Sequence, residues 1–374
     1  MHPTLGNFVE RHADAVATAH EVTVIYPAYT HRVSPSRETR GGGRDANGNA
    51  LPKVIILYFP KWYRRFPAKV RARVLEEAEA LPVKPDLVHG HVLYGQGRTA
   101  AAAAELLDVP CLITEHWTGY LPVNRANLKP EILEEARAVG RMVDAVLPVS
   151  QDLNRELGAL GIGKRRITID NAVNTEIFTP KDPPERKVFR WLHISSFHPM
   201  KNPEGLLDGF KRRTEIGGGP AELLMAGDGD VRKLIRAVRK RGLEGRVTIK
   251  GAMTPEGVAR EMQEADAFVL FSRYENLPCV IAEAHCCGLP VVSTDVGGIS
   301  EMVTQENGIL IPSEDTEALA SAMLHIEENR SGYAAREISR KAAERYGYPA
   351  VARVHTELYE TLIRERAGNA LPPA

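Results

Sequence analysis

The stretch from Ala265 to Glu301 constrains the fold of this chain more than any other part of its sequence. Ala267 to Phe271 is a continuous apolar run, which is typical of a strand buried on both faces. A polar loop follows, and the residues from Pro278 to about Cys287 predict a helix. Val291 to Ser293 predicts the next strand. The stretch therefore indicates one βαβ unit of a parallel sheet.

The start of this helix predicts an anion-binding site. In open parallel sheets, ligands bind outside the carboxyl ends of the strands, where this helix begins. Amides around Leu277, Cys279 and Val280 would face that edge with the positive end of the helix dipole, which suits phosphate. Glu275 and Glu283 would lie beside the phosphate. Because carboxylates bind hydroxyl groups rather than phosphate, the two glutamates indicate recognition of a sugar or ribose.

Spacing alone leaves a second interpretation of the glutamates open, in which Glu275 complements the helix dipole and Glu283 is a solvated helix residue. The motif as a whole is more specific. Seven residues separate the two glutamates, and the second begins the pattern EAxxxGxPVVxTDxGGxxE. Two glutamates, a helix stop and a Gly-Gly loop in this order resemble the retaining nucleotide-sugar glycosyltransferases of family 4.

The resemblance implies the GT-B fold, in which two Rossmann-like, doubly wound α/β domains face each other across a cleft. It implies that Glu283 binds the donor ribose and that Glu275 binds the transferred sugar or its phosphate. We expect an acceptor-side domain over residues 1–182, completed by a C-terminal helix at 346–366. A nucleotide-sugar donor domain is expected over residues 188–345.

The resemblance also assigns donor-binding residues outside this stretch. In the family, a lysine and an arginine of the loop after the first donor-domain strand clamp the diphosphate. Lys201 matches the lysine, but Ser196 stands at the arginine position, and His198 is a partial substitute. Residues alone also allow Lys201 to be a solvated lysine. Leu277 and Cys279 would bind the donor through helix amides, and the backbone near Met253 is expected to contact the nucleotide base.

Histidines mark the acceptor side. His89, His91 and His116 lie at the predicted ligand-side ends of two strands. A metal site is one interpretation, but parallel packing brings such ends together in any case. The resemblance places His116 near the acceptor and the transferred sugar, and Gly6 near the acceptor; a structural, hydrogen-bonded His116 is the alternative. We expect no bound metal and no cofactor, because the nucleotide sugar is a substrate.

Composition excludes several classes of partner. Lys+Arg and Asp+Glu number 48 each, so the formal net charge is zero and nothing indicates nucleic acid. Four cysteines without CxxC spacing favour a reducing compartment. No apolar run reaches the length of a membrane span, so we expect a soluble, cytoplasmic protein. Residues 61–73 are basic and aromatic, which predicts either a solvated face or peripheral contact with the inner face of an anionic membrane or a lipid-linked acceptor.

The first domain lacks the strand with which a doubly wound domain begins. That strand is central in the order 3-2-1-4-5, so its absence would leave the predicted strands at 21–26 and 86–89 with unpaired inner edges. We interpret Met1 as a truncated or misassigned start. The hypothesis is that roughly ten to fifteen residues with an apolar strand pattern precede it.

These features together predict a retaining glycosyltransferase. It would move a sugar from a nucleoside-diphosphate-sugar donor to a hydroxyl acceptor in bacterial glycan, polysaccharide or glycolipid synthesis. Catalytic roles are expected for Glu275, His116 and Lys201. Two alternatives stay open: a sugar-nucleotide epimerase of the same fold, and a catalytically inactive homologue that binds a sugar nucleotide. Ser196 in place of arginine favours the inactive homologue.

Overall fold

A computed structural model of the chain describes residues 7–31, 33–44, 48, 50–181 and 187–369. The described residues form twelve strands and twelve α-helices in two compact units. The C-terminal unit contains residues 171–347. The N-terminal unit contains residues 9–170 and the helix that begins at residue 348. Each unit is an α/β structure whose strands are mainly parallel.

The N-terminal unit contains two three-stranded sheets. Its strands are β1 (Thr23–Thr30), β2 (Ser36–Gly41), β3 (Lys53–Pro60), β4 (Val88–His91), β5 (Cys111–Glu115) and β6 (Ala145–Pro148). Strand β3 pairs with β1 in parallel and with β2 in antiparallel orientation. Strand β5 lies between β4 and β6 in a parallel sheet. The helices before residue 170 are α1 (Asn7–Ala17), α2 (Pro67–Glu79), α3 (Gly97–Leu107), α4 (Pro130–Met142) and α5 (Gln151–Ala159).

Among the described residues, β1 and β4 lie at the edges of their sheets, as the sequence predicts. Within the described residues, β1 pairs only with β3, and β4 pairs only with β5. No residue of either strand is fully buried, whereas β5 is buried along its whole length. Gly6, the predicted acceptor-side glycine, lies outside the described residues, and its position stays a prediction.

Strand β2 lies within residues 34–50, where three consecutive glycines at 41–43 predict a loop. The segment SRETRG lacks the alternation of apolar and polar residues that identifies a strand. It is ordered by antiparallel pairing with β3 and by Arg37, whose Nε donates to Glu77 at 2.8 Å. The sequence also predicts a strand at 166–169, but this segment is not a regular strand: it pairs with β6 through an isolated bridge at Arg166 and through Ile167 N and Ile169 N, which donate to Val146 O and Pro148 O.

The C-terminal unit is built on one six-stranded parallel sheet. Its strands are β7 (Phe189–Ile194), β8 (Ala221–Ala226), β9 (Val247–Lys250), β10 (Ala267–Leu270), β11 (Val291–Thr294) and β12 (Gly308–Ile311), in the spatial order β12-β11-β10-β7-β8-β9. Its helices are α6 (Pro203–Ile216), α7 (Val231–Lys240), α8 (Pro255–Gln263), α9 (Cys279–Cys286), α10 (Thr316–Glu328) and α11 (Ala335–Tyr346), after which α12 (Tyr348–Asn369) belongs to the N-terminal unit. The succession of strands reverses between β7 and β10, which makes that point the topological switch of the sheet.

The centre of this sheet is completely buried. All four residues of β10 are inaccessible to solvent, and so is Trp191 in the neighbouring β7. The Trp191 indole donates to Glu327 at 2.8 Å, and Glu327 also pairs with the buried Arg213. The continuous apolar run at 267–271 therefore identified β10, the strand at the centre of this core.

The boundary between the units lies earlier than the predicted linker after residue 182. Residues 171–181 pack within the C-terminal unit rather than with the preceding domain. Asn171 Nδ2 donates to Leu277 O at 2.9 Å, and Val173 N donates to Tyr346 O at 2.8 Å. These hydrogen bonds join the segment to the loop before α9 and to helix α11, so the contact boundary falls at residue 170.

A cluster of histidines lies inside the N-terminal unit. It consists of His12 on α1, His89 and His91 on β4, His116 after β5, and His355 on α12. The rings contact one another with centroid separations of 4.8–5.7 Å. Burial lowers the pKa of His91 to about 3 and that of His355 to about 4. Burial also lowers the pKa of His89, so His89, His91 and His355 are held in the neutral form.

We expect His355 to make the unit sensitive to acid. Unfolded histidine takes up a proton near pH 6.5, whereas the folded state resists protonation down to about pH 4. The free energy of unfolding should thus fall as the pH drops below about 6.5. His355→Met removes this contribution. As the pH falls from about 7 to about 4, the free energy of unfolding of the variant should therefore rise by about 3 kcal/mol relative to that of the wild type.

Urea unfolding at several pH values measures this difference. The raised pKa of Asp14, caused by burial and by Glu10, has the opposite effect on stability but is common to both proteins. It therefore cancels in the comparison. A difference between His355→Met and wild type that stays constant with pH would show that His355 is not held neutral.

Candidate active site

Two loops meet at the carboxyl ends of β7 and β10, where the strand order reverses. Residues 195–202 follow β7, and residues 271–278 follow β10. Arg273 N donates to Met200 O at 2.7 Å and joins the two backbones. Side chains from both loops therefore converge at the switch point, where ligands bind in doubly wound sheets.

Lys201 and Glu275 form a largely buried ion pair at this point. Lys201 Nζ lies 2.5 Å from Glu275 Oε1, and the side chains are 16% and 6% exposed. Ser272 Oγ donates to the same carboxylate oxygen at 2.7 Å. The interpretation of Lys201 as a solvated lysine is therefore wrong. An ammonium group has three N–H donors, so the pair can still present hydrogen bonds to an anionic ligand.

The Gly297-Gly298 turn supports the loop that carries Glu275. Gly298 N donates to Asn276 O at 2.9 Å. Gly297 has a φ of +57°, and a Cβ at this position would lie 2.0 Å from Glu275 O. Only glycine fits this close approach. The Gly-Gly motif that follows the glutamates in the sequence thus serves to place the Glu275 backbone.

Helix α9 begins beside this loop, as the sequence predicts. Cys279 is its first residue, and Pro278 at the N-cap has no side-chain acceptor for the first amides. Glu283 on the same helix is 2% exposed, so its interpretation as a solvated residue is wrong. Burial, followed by the charge of Glu283, raises the pKa of the Cys286 thiol to about 12. The Glu283 carboxyl group thus lies inside the protein, near the Cys286 thiol.

The remaining donor-side residues predicted from the sequence lie on the same edge of the sheet. Ser196 is half-buried in the loop after β7, and Met253 is half-buried in the loop after β9. His198 is exposed and caps the short 3-10 helix Pro199–Lys201. Its Nδ1 accepts a hydrogen bond from Met200 N at 3.2 Å. A neutral His198 therefore carries its proton on Nε2, where it can donate to a ligand.

His116 lies in the N-terminal unit, directly after β5. Its Nε2 is 3.2 Å from His91 Nδ1, and His89 hydrogen-bonds to Thr114 Oγ1 and Tyr359 Oη at 2.7 and 2.6 Å. These contacts describe hydrogen-bonded histidines packed at the strand ends. In the described part of the chain, no group of three or more His, Cys, Asp or Glu side chains is arranged to hold a metal ion.

Sequence reasoning did not single out Ser272 and Arg273, which support the site together with Asn171. Ser272 bonds to Glu275, Arg273 joins the two loops, and Asn171 holds the Leu277 carbonyl. Thr294 Oγ1 in turn donates to Ser272 O at 2.7 Å. The only sequence signal for Ser272 and Arg273 is that they lie in the loop after β10, because residue type alone does not distinguish a supporting serine from a solvated one.

Gly297→Ala should destabilise the protein more than an ordinary glycine substitution. Both Gly297 and Gly245 have positive φ, but a Cβ at Gly245 meets nothing within 4 Å. Gly245→Ala should therefore lose about 1 kcal/mol from backbone strain. Gly297→Ala should lose roughly 1–3 kcal/mol more, because its methyl group displaces Glu275. Urea unfolding at neutral pH measures both; equal losses would contradict the close packing at Gly297.

Family models match both parts of the chain. The model described as Glycosyltransferase Family 4 matches residues 5–204, which is more than half of the chain. The model described as Glycosyl transferases group 1 matches residues 189–329, and this range contains the Lys201–Glu275 pair and Glu283. The two matches together extend over both compact units.

Named relatives cover most of the chain. TuaC of Bacillus subtilis, a protein assigned by name to teichuronic acid biosynthesis, is 25% identical over 342 residues, which are 83% of this chain and 81% of TuaC. The D-inositol 3-phosphate glycosyltransferase of Xylanimonas cellulosilytica is 27% identical over 314 residues, covering 75% of this chain and 73% of that protein.

Solved structures show the same fold. Sucrose-phosphate synthase from Thermosynechococcus elongatus superposes with a TM-score of 0.74 at 20% identity. The superposition covers 96% of this chain and 93% of the synthase chain. HepE from Anabaena, in complex with UDP-glucose, superposes with a TM-score of 0.71 at 18% identity, covering 91% and 100% of the two chains. The chain belongs to glycosyltransferase family 4 and has the GT-B fold.

Proposed function

We propose that this glycosyltransferase is a retaining enzyme that moves a sugar from a nucleoside-diphosphate-sugar donor to a hydroxyl acceptor. The observation that carries the proposal is the ion pair of Lys201 and Glu275 at the switch point of the sheet. A buried ammonium group beside the start of a helix suits a diphosphate. The UDP-glucose complex of HepE, which shares the fold, supports a donor of this class.

The donor diphosphate would bind between the two strand-end loops. Lys201 supplies the positive charge, and the amides around Leu277 and Cys279 supply hydrogen bonds from the start of α9. Ser196 stands where the family has arginine, so the His198 Nε2–H and the Ser196 hydroxyl become the additional donors of this chain. The backbone near Met253, on the loop after β9, is the proposed contact of the base.

The two glutamates bind different parts of the donor outside the diphosphate. Glu283 is buried in α9, and Glu275 lies in the loop before that helix. In the proposal, Glu283 accepts hydrogen bonds from the ribose hydroxyls, and Glu275 contacts the transferred sugar. Cleavage of the sugar–phosphate bond leaves negative charge on the diphosphate. Lys201 and the helix amides are already oriented to stabilise that charge, which is the main catalytic contribution we propose. His116 of the N-terminal unit is proposed to lie near the acceptor and the sugar.

This arrangement needs no divalent metal in our proposal. Metal-dependent transferases use the cation to neutralise the diphosphate. Here the ammonium group of Lys201 and the dipole of α9 would provide that positive charge. The acceptor class is a glycan or lipid-linked hydroxyl, in keeping with relatives whose names refer to teichuronic acid and inositol phosphate.

Turnover with a panel of nucleotide sugars, with and without chelator, tests the proposed function. We expect transfer with retained anomeric configuration from one class of donor, and activity in EDTA close to that with added manganese. Activity that is lost in EDTA and restored by added manganese would contradict metal-independent catalysis. Interconversion of the donor sugar without acceptor would identify an epimerase. Donor binding without any turnover would identify the inactive homologue that Ser196 in place of arginine suggests.

The two glutamates should be separable by mutation. Glu283→Ala should chiefly weaken donor binding, because it removes the ribose acceptors. Glu275→Ala should chiefly slow turnover, because it lies beside the reacting sugar. Hydrogen bonds to a charged group contribute roughly 1.5–3 kcal/mol, so each effect should be about ten- to a hundredfold. Calorimetry with the nucleotide sugar and steady-state kinetics measure the two effects; wild-type values in both variants would refute the assignment.

We also propose that residues 61–73 contact an anionic membrane surface. Trp62 and Phe66 are 55% and 42% exposed, and their rings pack edge to face at 5.8 Å. Lys69 Nζ lies 5.2 Å from the Phe66 ring, so cationic charge borders the aromatic surface. Aromatic rings and lysine together suit the headgroup region. None of the described helices combines the length and apolarity that crossing a bilayer requires.

Trp62→Ala with Phe66→Ala should reduce binding to anionic vesicles by about tenfold or more, because two large apolar side chains no longer enter the interface. Leu106→Ala is the matched control, since Leu106 on α3 is also exposed, at 46%, but lies outside the segment. Co-sedimentation with phosphatidylglycerol vesicles measures the effect. Equal binding of the double variant and the control would contradict a membrane contact through 61–73.

A further inference from the structure

Glu115 is a buried carboxylate at the end of β5. It is completely inaccessible to solvent, although it borders a loop at the carboxyl edge of the sheet. Three backbone amides donate to it: Leu93 N to Oε2 at 2.8 Å, and His116 N and Trp117 N to Oε1 at 2.8 and 2.7 Å. Both carboxylate oxygens are therefore used to hold backbone.

These amides belong to two different loops. Leu93 lies in the loop after β4, whereas His116 and Trp117 lie in the loop after β5. One side chain thus connects the ends of two neighbouring strands beyond the point where their ladder stops. His91 at the end of β4 and His116 directly after β5 are also joined, with 3.2 Å between His91 Nδ1 and His116 Nε2.

The loop after β4 has a strained backbone at the point that Glu115 holds. Val92 has a φ of +68°, a conformation that β-branched residues rarely adopt. Its amide still donates to Thr114 O at 2.8 Å, and the left-handed turn then directs the next amide, that of Leu93, at Glu115. Such strain persists only where the surroundings determine the conformation, and it is concentrated at functional sites.

The electrostatics of Glu115 also indicate a role other than simple packing. Burial raises the pKa of Glu115 to about 7, whereas the hydrogen bonds from Leu93, Trp117 and His116 act to lower it. Tyr120 is also buried, and the charge of Glu115 adds to burial in raising the pKa of Tyr120. An apolar residue would fill this place without desolvating a carboxylate.

The loop that Glu115 holds presents an aromatic surface next to His116. Trp117 is 36% exposed and packs edge to face against Tyr120 at 5.1 Å. A Cβ at Gly119 would lie 2.3 Å from the indole, so the ring lies directly on that glycine. The orientation of the Trp117 ring is therefore set by the same short loop whose first two amides bind Glu115.

We propose that Glu115 is a positioning residue for acceptor binding: it holds the loop of His116 and Trp117 against the loop of Leu93. The inference rests on the proposed function, in which His116 lies near the acceptor. Glu115 does not itself touch the substrate. Its effect is exerted through the backbone of the two loops, with Trp117 offering its exposed ring to the acceptor.

Glu115→Gln tests the proposal, because it keeps the shape of the side chain but has one oxygen acceptor instead of two. We expect kcat/KM for the acceptor to fall about ten- to a hundredfold, while donor affinity, which depends on the other unit, stays within about twofold. The ratio of the rate of sugar transfer to the acceptor to the rate of donor hydrolysis should fall as well. Glu115→Asp, which keeps the charge but is shorter, should give a smaller loss.

Asp144→Asn is the matched control, since Asp144 Oδ2 accepts from Cys111 N at 2.7 Å at the opposite end of β5. It should change thermal stability without changing the acceptor KM. The proposal is wrong if Glu115→Gln lowers donor affinity and kcat/KM for the acceptor by similar factors, or if it leaves both at wild-type values.

Amide hydrogen exchange supplies a readout that does not depend on activity. In Glu115→Gln, the amides of Leu93, His116 and Trp117 should exchange faster, while those of β7 and β10 should not change. Unchanged protection at Leu93 would overturn the proposal even in an active enzyme. If wild-type protein shows no transfer with any donor, the proposed function fails, whereas the exchange experiment still decides whether Glu115 joins the loops.

Discussion

The pairing of β7 with β10 is the interaction on which the donor-side site depends. These strands contact each other in parallel through Trp191–Ala267 and Leu192–Phe268, and all four residues are completely buried. Because the strand succession reverses at this pair, the loops that follow β7 and β10 are not separated by a crossing helix. Lys201 and Glu275 can meet at 2.5 Å only because the two strands are neighbours.

Much of this arrangement could be predicted from the sequence, because its strongest patterns come from burial on both faces. The apolar run at 267–271 identified β10, and the helix stop and Gly-Gly turn identified the unit that follows it. The edge strand β2 was missed because its order comes from pairing with β3 rather than from its own side chains. Strand pairing is a property of two segments, and one segment does not reveal it.

The site could be predicted less completely than the fold. Glu275, Glu283 and Lys201 were identified by resemblance, but nothing in the sequence indicates that Lys201 and Glu275 bond to each other. Glu115 was missed because a glutamate after an apolar run usually marks the end of a strand at the surface. Its burial depends on the loop that begins at Val92, whose left-handed conformation could not be inferred from a valine.

The ion pair of Lys201 has a consequence for the end of the catalytic cycle. Glu275 already accepts from the ammonium group of Lys201, and Ser272 donates to the same carboxylate oxygen of Glu275. Under the proposed function, a ligand must offer enough negative charge to share the ammonium group, which a free monosaccharide does not. The departing nucleoside diphosphate keeps all of that charge after the sugar has left. Under that proposal, we expect the released nucleoside diphosphate to inhibit the enzyme and to leave the site slowly.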